Sequence, residues 1–142
     1  MWAELHLTPR NPSSRWTSAL ARRVAQDLAE RGWRLEAVST DNASEFRSQE
    51  FEKALEAVKA RHVFIRAGRP QSNGYVERVQ QTILDECWKP AFARYLIPKY
   101  TGLRLDLERF VRLYNTDRPH RGRHTRGRIP IEIIGKAKMW QR

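Results

Sequence analysis

Residues 35–46 read LEAVSTDNASEF, and residues 70–78 read PQSNGYVER. Leu35 to Ser39 carries enough Leu and Val to form a buried strand, so Asp41 follows the carboxyl end of a predicted strand. Glu77 falls just inside a helix whose start is marked by the Ser-Asn-Gly at 72–74. Open α/β sheets bind their ligands at the carboxyl ends of strands. We therefore expect Asp41 and Glu77 to contribute to one site.

The two acids are of the type that binds divalent metals. Carboxylate oxygens are the ligands that Mg²⁺ prefers, and a divalent metal beside basic residues suits phosphodiester chemistry. Between Asp41 and Glu77 lie 35 residues, and arginines precede and follow the second acid. An Asp and a Glu at any spacing would carry little information by themselves, so the flanking residues decide how the pair is interpreted.

Residues on both sides of each acid carry a family resemblance: Thr40-Asp41-Asn42, Glu45-Phe46, Gln71, Asn73-Gly74 and Glu77-Arg78. Together they resemble the catalytic core of DDE transposases and retroviral-type integrases. The segment from Tyr114 to His120 is similar to the late helix and exit turn of the bacterial members, the insertion-sequence transposases. The resemblance implies an α/β, ribonuclease-H-like three-layer fold, in which a mixed sheet is flanked by helices.

The resemblance also implies the chemistry and the site. The expected reaction is metal-dependent phosphoryl transfer on DNA, in which end cleavage is followed by strand transfer. Asp41 and Glu77 would be the catalytic residues and would hold Mg²⁺ or Mn²⁺. The residues expected to bind DNA are Arg66, Arg69, Gln71, Asn73, Arg78, Gln81, Arg118, Arg121 and Arg123. Such enzymes act as multimers on paired DNA ends, so element ends, target DNA and a homo-oligomer are the expected partners.

A third metal-binding carboxylate belongs to the resembled enzymes. They carry this Asp on a central strand upstream of the part that matches Trp2–Leu7, so we expect this chain to lack the first strands of the core. Glu4 does not substitute for the Asp, because its neighbours match a later strand. On this interpretation residues 1–135 are the C-terminal two-thirds of an integrase-like core, and residues 136–142 are a short basic tail.

Two other functions stay open. A catalytically inactive DNA-binding remnant, or a regulator of a transposable element, would need only the basic charge of the chain. A ribonuclease-H-like nuclease acting on RNA–DNA hybrids is the third alternative, and the Asn-Gly-x-x-Glu-Arg motif at 73–78 disfavours it. Because the first Asp is not found, the sequence alone does not decide whether this chain is an enzyme.

Composition supports a nucleic-acid partner. The 142 residues include 27 Lys and Arg against 16 Asp and Glu, which gives a net charge of +11 and a pI near 10.6. This balance favours a polyanion, and nucleic acid rather than a membrane surface. The chain has no apolar run long enough to span a membrane, no signal-peptide pattern at its start, and a single cysteine, Cys87. A cytoplasmic protein of a bacterium, associated with the nucleoid through DNA, is the expectation.

The hydrophobic pattern predicts the remaining elements. We expect a half-exposed strand at 2–7, a helix from Ser13 or Ser14 to Arg31, and a short buried strand at 63–65. The apolar residues expected to face inward are Trp16, Leu20, Val24 and Leu28 on this helix and Val76, Val79, Ile83 and Cys87 on the helix after Gly74.

Two residues carry backbone expectations. Pro90 is expected to end the helix that follows Gly74. Ala43 stands where the resembled enzymes usually have Gly, and a positive φ there would cost about 1–2 kcal/mol.

Overall fold

The computed structural model describes residues 2–65, 74–122 and 125–135. They belong to two compact units, which we name the strand unit (residues 8–65) and the helical unit (residues 2–7, 74–122 and 125–135). Within these ranges no helix is long and apolar enough to cross a bilayer. The predicted basic tail at 136–142 lies outside the described residues, as do Arg66, Arg69, Gln71, Asn73 and Arg123.

The strand unit is a β-α-β arrangement preceded by a long helix. Its elements are helix α1 (Ser14–Glu30), strand β1 (Ala37–Thr40), a 3₁₀ turn (Ser44–Phe46), helix α2 (Gln49–Ala57) and strand β2 (Arg61–Phe64). The two strands are parallel, with Ala37 opposite Arg61 and Thr40 opposite Phe64. Parallel neighbours need a crossover connection, and α2 provides it.

Helix α2 carries the core of the strand unit. Its N-cap is Ser48, whose Oγ accepts a hydrogen bond of 3.1 Å from the Phe51 amide. Phe51 and Leu55, one turn apart, are each only 2% exposed and pack with Ala21 of α1. This i, i+4 pair gives α2 a single apolar face, which anchors the crossover between β1 and β2.

Three burial predictions for the strand unit are wrong. The sequence predicts a buried strand before Asp41, but in β1 Ala37 and Ser39 are exposed. On α1 Trp16 of the predicted apolar stripe is 37% exposed, whereas Leu20, Val24 and Leu28 are half-buried. Strand β2 exists close to where it was expected, but Val63 and Phe64 are 43% and 41% exposed. In the described part of the chain the sheet has only two strands, so each strand has an unpaired edge.

The helical unit packs its helices around one apolar cluster. The elements after residues 2–7 are helix α3 (Gly74–Ile83), a π-helical turn (Leu84–Trp88), and helices α4 (Lys89–Arg94), α5 (Tyr100–Thr116) and α6 (Pro130–Ile134). Val79, Ile83 and Cys87 are buried against Leu107 and Tyr114 of α5. Val76, predicted to belong to this stripe, is 50% exposed, so the buried stripe begins one turn later, at Val79.

Residues 2–7 form no strand in the described part of the chain, so that prediction is wrong. The Ala3 amide instead donates to Asn115 Oδ1 at 2.9 Å, and Asn115 Nδ2 donates to the Ala3 carbonyl at 2.7 Å. The side-chain amide of Asn115 thus provides both hydrogen bonds that a neighbouring strand would offer to Ala3. Because these backbone groups are satisfied, Ala3 can be buried beside α5.

The prediction that Pro90 ends its helix is also wrong. Pro90 lies in the first turn of α4, directly after the π-helical turn at Leu84–Trp88. A proline inside a helix lacks an amide donor and clashes with the carbonyl four residues earlier. A π turn uses a longer hydrogen-bond spacing and widens the backbone, so the chain accommodates Pro90 and stays helical to Arg94.

Candidate active site

Asp41 lies directly after the last residue of β1, as the sequence predicts. Its side chain is exposed, and Oδ1 accepts a hydrogen bond of 3.1 Å from the Ala43 amide in an Asx turn. A carboxylate offers about four acceptor positions, so this one bond leaves capacity for a metal ion. The turn therefore orients Asp41 at the carboxyl end of the strand without using up its ligand atoms.

The expected backbone strain at Ala43 is absent. This residue has φ −63° and ψ 150°, an extended conformation that any L-residue adopts. An alanine here thus costs nothing in backbone energy, and the turn holds Asp41 without a glycine.

Thr40 connects Asp41 to the neighbouring strand. Its hydroxyl donates to the Asp41 carbonyl at 2.9 Å and lies 2.8 Å from Nε2 of His62 on β2. The His62 ring is held between Phe51, 5.2 Å away between centroids, and Phe64, 4.1 Å away. Sequence reasoning missed this contact. The only sign of it in the sequence is a polar residue beside each predicted strand: Thr40 follows the first strand, and His62 precedes the second.

Glu45, the other acid of the first motif, lies in the 3₁₀ turn. Its carbonyl oxygen accepts hydrogen bonds from Ser48 Oγ at 3.2 Å and from Thr17 Oγ1 at 3.5 Å. The Glu45 backbone thus links α1, the turn and the cap of α2. Any residue at this position supplies such a carbonyl, so these contacts do not involve the Glu45 carboxylate.

Glu77 lies in the first turn of α3, and its side chain is exposed. An acid at this position interacts favourably with the helix dipole. Arg78, also exposed, follows it. Glu77 belongs to the helical unit and Asp41 to the strand unit.

Gln81, predicted to bind DNA, takes part in a polar row along the same helix. Its Nε2 donates to Asp85 Oδ2 at 2.8 Å, and Lys89 Nζ lies 2.6 Å from Asp85 Oδ1. The bonds from Lys89 and then Gln81 lower the pKa of Asp85. Gln81 is therefore hydrogen-bonded to an exposed carboxylate one turn further along the helix.

The metal prediction rests on the chemistry of two exposed carboxylates. Among the described residues no three His, Cys, Asp or Glu side chains gather in a cluster that could hold a metal ion. The donor type of Asp41 and Glu77 fits Mg²⁺ or Mn²⁺, since both ions prefer oxygen ligands. Their metal role stays a prediction.

Hydrogen bonds join the described residues of the basic segment after α5, 118–122 and 125–128. The Gly127 amide donates to the His120 carbonyl at 2.8 Å, and Thr125 Oγ1 donates to the same carbonyl at 2.6 Å. Arg121 is exposed in this segment. Arg118 instead pairs with Glu86, and its guanidinium lies 5.9 Å from the Tyr114 ring centroid. Arg121 is thus displayed toward solvent, whereas Arg118 also stabilises the end of α5.

Cys87 agrees with its interpretation as a buried apolar residue. Burial, with a smaller contribution from Asp106, raises the pKa of its thiol. The neutral thiol packs with Ile83 and Leu107 in the core of the helical unit. A protonated, buried thiol is a poor nucleophile, so no chemistry is assigned to it.

His120 makes the folded state sensitive to acid. Burial lowers its pKa most and Arg118 adds to this, whereas the contact between Nε2 and the Tyr114 carbonyl at 3.1 Å opposes it. Because the unfolded chain binds this proton more tightly, stability is retained above the ordinary histidine pKa and lost as the pH falls below it. We expect a smaller drop in melting temperature between about pH 7.5 and about pH 5.5 for His120→Gln than for the wild type.

Thermal unfolding followed by circular dichroism at the two pH values checks this expectation. Carboxylates titrate in both proteins, so the difference between the two drops isolates His120. Glutamine retains a donor for the Tyr114 carbonyl. Equal drops in both proteins would contradict the assignment.

Comparison with known proteins supports the resemblance from two directions. Residues 58–126 match the family model of the integrase core domain, a range that includes Glu77 but not Asp41. The catalytic core domain of BIV integrase is similar in structure, with a TM-score of 0.71 and 16% identity over 99% of this chain and 82% of that chain. A search of the curated proteins gives no match.

A chain from the simian T-cell lymphotropic virus intasome, solved in complex with PP2A regulatory subunit B56 gamma, is a second structural relative. It matches with a TM-score of 0.64 and 18% identity over 87% of this chain, which spans 41% of that longer chain. At such identities the likeness shows the fold. The predicted ribonuclease-H-like α/β class is therefore confirmed, here with a small parallel sheet.

Proposed function

We propose that the chain acts in DNA transposition or integration by metal-dependent phosphoryl transfer, because its sequence resembles the core of DDE transposases and integrases and its residues 58–126 match the integrase core domain model. The observation that carries the proposal is the position of Asp41. It is an exposed acid fixed by an Asx turn directly after a parallel strand, in a fold that matches an integrase catalytic core. Open α/β sheets bind ligands at this edge.

Asp41 and Glu77 would hold Mg²⁺ or Mn²⁺. When bound, such an ion polarises the scissile phosphodiester and neutralises charge that develops on its oxygens. Asp41 presents its carboxylate from the rigid end of β1, and Glu77 presents its own from the first turn of α3. The resemblance implies that a further carboxylate completes the metal site, as part of a longer polypeptide or of another chain.

The DNA would lie against basic and amide side chains near the second acid. Within the described residues Arg78 and Arg121 are exposed, and Gln81 is hydrogen-bonded to Asp85. The other proposed contacts are Arg66, Arg69, Gln71, Asn73, Arg118 and Arg123. Arginine contacts to phosphates supply affinity without reading the sequence, and they weaken steeply with salt.

The partners and the location are proposals of the same kind. This chain spans 41% of the intasome chain that it matches. The activity of a complete protein is therefore a proposal for this chain. We propose a homo-oligomer on paired DNA ends and a bacterial cytoplasmic location, where the chain would meet DNA.

Nicking of labelled DNA tests the proposal. The protein is incubated with a supercoiled plasmid and with end-labelled duplexes, one of DNA and one an RNA–DNA hybrid, in Mg²⁺, in Mn²⁺ and in chelator. Nicks in DNA that require the metal, with no preference for the hybrid, would support catalysis by this chain. Hybrid cleavage in preference to DNA would favour the ribonuclease-H-like alternative. A complete absence of metal-dependent nicks would contradict catalysis by this chain.

A non-catalytic DNA-binding protein is the second candidate function. The exposed arginines of α1 favour it, because they contribute to the charge of +11 and lie on a helix that carries neither of the two acids; they are Arg15, Arg22 and Arg23. Fluorescence anisotropy with a labelled duplex measures this binding over a salt series. Affinity that falls steeply with salt, without any nicks, would support this candidate.

A further inference from the structure

The donor and the acceptor can be assigned in the hydrogen bond between Thr40 and His62. Thr40 Oγ1 carries one proton, and it donates this proton to the Asp41 carbonyl. The 2.8 Å contact with His62 Nε2 therefore uses the hydroxyl as acceptor and places a hydrogen on Nε2. The opposite arrangement would leave a proton on His62 Nδ1, which is buried and has no partner among the described residues. A buried donor without an acceptor is the costlier outcome.

His62 is held rigidly for this contact. Phe51 meets the ring edge-on at an interplanar angle of 71°, and Phe64 lies 4.1 Å from it between centroids. Phe51 is itself one of the most buried side chains of the strand unit. Such aromatic pairs fix ring orientation as well as burying area. Thr40, at the end of β1, thus receives its hydrogen bond from a side chain anchored in the core.

From this arrangement we propose that His62 is a positioning residue for the Asp41 carboxylate and acts through Thr40. The inference rests on the proposed role of Asp41 as a metal ligand. The His62 ring fixes the Thr40 hydroxyl, which in turn holds the carbonyl at the start of the Asx turn. The turn then sets the direction of the Asp41 carboxylate through the Ala43 amide. His62 itself touches neither metal nor DNA.

The test combines two measurements on the 142-residue chain. Mn²⁺ affinity is measured by electron paramagnetic resonance of the free ion, and exchange of the Ala43 amide is measured by nuclear magnetic resonance. The variants are His62→Ala, His62→Gln, Thr40→Val and Thr40→Ser. Val63→Ala, a change on the same strand at an exposed position, is the matched control.

We expect His62→Ala and Thr40→Val each to weaken Mn²⁺ binding about 10-fold, the usual effect of removing a group that orients a metal ligand. Their double variant should be no weaker than either single one, since both break the same connection. His62→Gln and Thr40→Ser keep a donor and a hydroxyl, so they should restore most of the affinity. The Ala43 amide should exchange faster in the first two variants only.

The outcomes separate this inference from the proposed function. Mn²⁺ binding that requires Asp41 but is unchanged in His62→Ala would overturn the positioning role alone. Mn²⁺ binding that is absent, or unchanged in Asp41→Asn, would contradict the metal role of Asp41. In that case exchange at Ala43 still tests the connection to His62. Equal losses in His62→Gln and His62→Ala, with the fold retained, would also overturn the inference, because the donor would then be irrelevant.

Discussion

Asp41→Asn is expected to lower metal-dependent nicking of DNA by at least about 100-fold, since a bound metal supplies several kcal/mol of transition-state stabilisation. The substitution removes the negative charge and keeps the shape of the side chain. An asparagine Oδ1 can still accept the hydrogen bond from the Ala43 amide, so the Asx turn and the end of β1 should be unchanged. The effect is therefore assigned to the charge rather than to folding.

Two further substitutions test whether the loss is specific to the metal-binding acids. Glu77→Gln should cause a loss of similar size if both acids hold the metal. Glu45→Gln, in the turn after Asp41, should stay within about threefold of the wild type, because the Glu45 backbone carbonyl makes the contacts to Ser48 and Thr17. DNA affinity measured in chelator should be nearly the same for all of these proteins. An Asp41→Asn protein that nicks at more than a third of the wild-type rate would refute the metal role.

Phe51→Ala is expected to have the largest effect on stability, a loss of about 3–5 kcal/mol in the free energy of unfolding of the strand unit. Phe51 is 2% exposed and packs against Ala21 and Leu55, with Phe46 and His62 at its edges. Truncation removes its apolar area from the core and leaves a cavity where the ring stood. The same change frees the His62 ring.

Amide exchange in α2 and β2 measures this loss separately from the helical unit. The control is Phe92→Ala, because the Phe92 side chain is 52% exposed on α4 and its removal should change stability by only about 0.5 kcal/mol. Similar effects of the two substitutions would contradict the assignment of Phe51 as the centre of the core.

Local signals in the sequence predicted much of this architecture. The strand before Asp41 and the helix start before Glu77 are each specified by residues next to them in the chain. The failures have two causes. Pro90 stays within a helix because a π turn just before it widens the backbone, and residues 2–7 are paired by a side chain of α5, distant in sequence, rather than by a strand.

Exposure in β2 and the contact between Thr40 and His62 were not predictable for a related reason. Both depend on how the two strands are aligned and on which elements cover the sheet. Apolar residues such as Val63 and Phe64 indicate a strand whether or not a neighbour covers them. The hydroxyl–imidazole contact requires the register that places His62 opposite Val38.

The pairing of Ala3 with Asn115 also has a consequence for synthesis in the cell. The two residues are 112 positions apart, so Ala3 leaves the ribosome long before its partner exists. At translation rates of roughly 5–20 residues per second, Ala3 waits on the order of 6–20 s for Asn115. During this interval its backbone groups are available to water or to a chaperone. Ala3 is therefore synthesised well before the side chain that completes its hydrogen bonds.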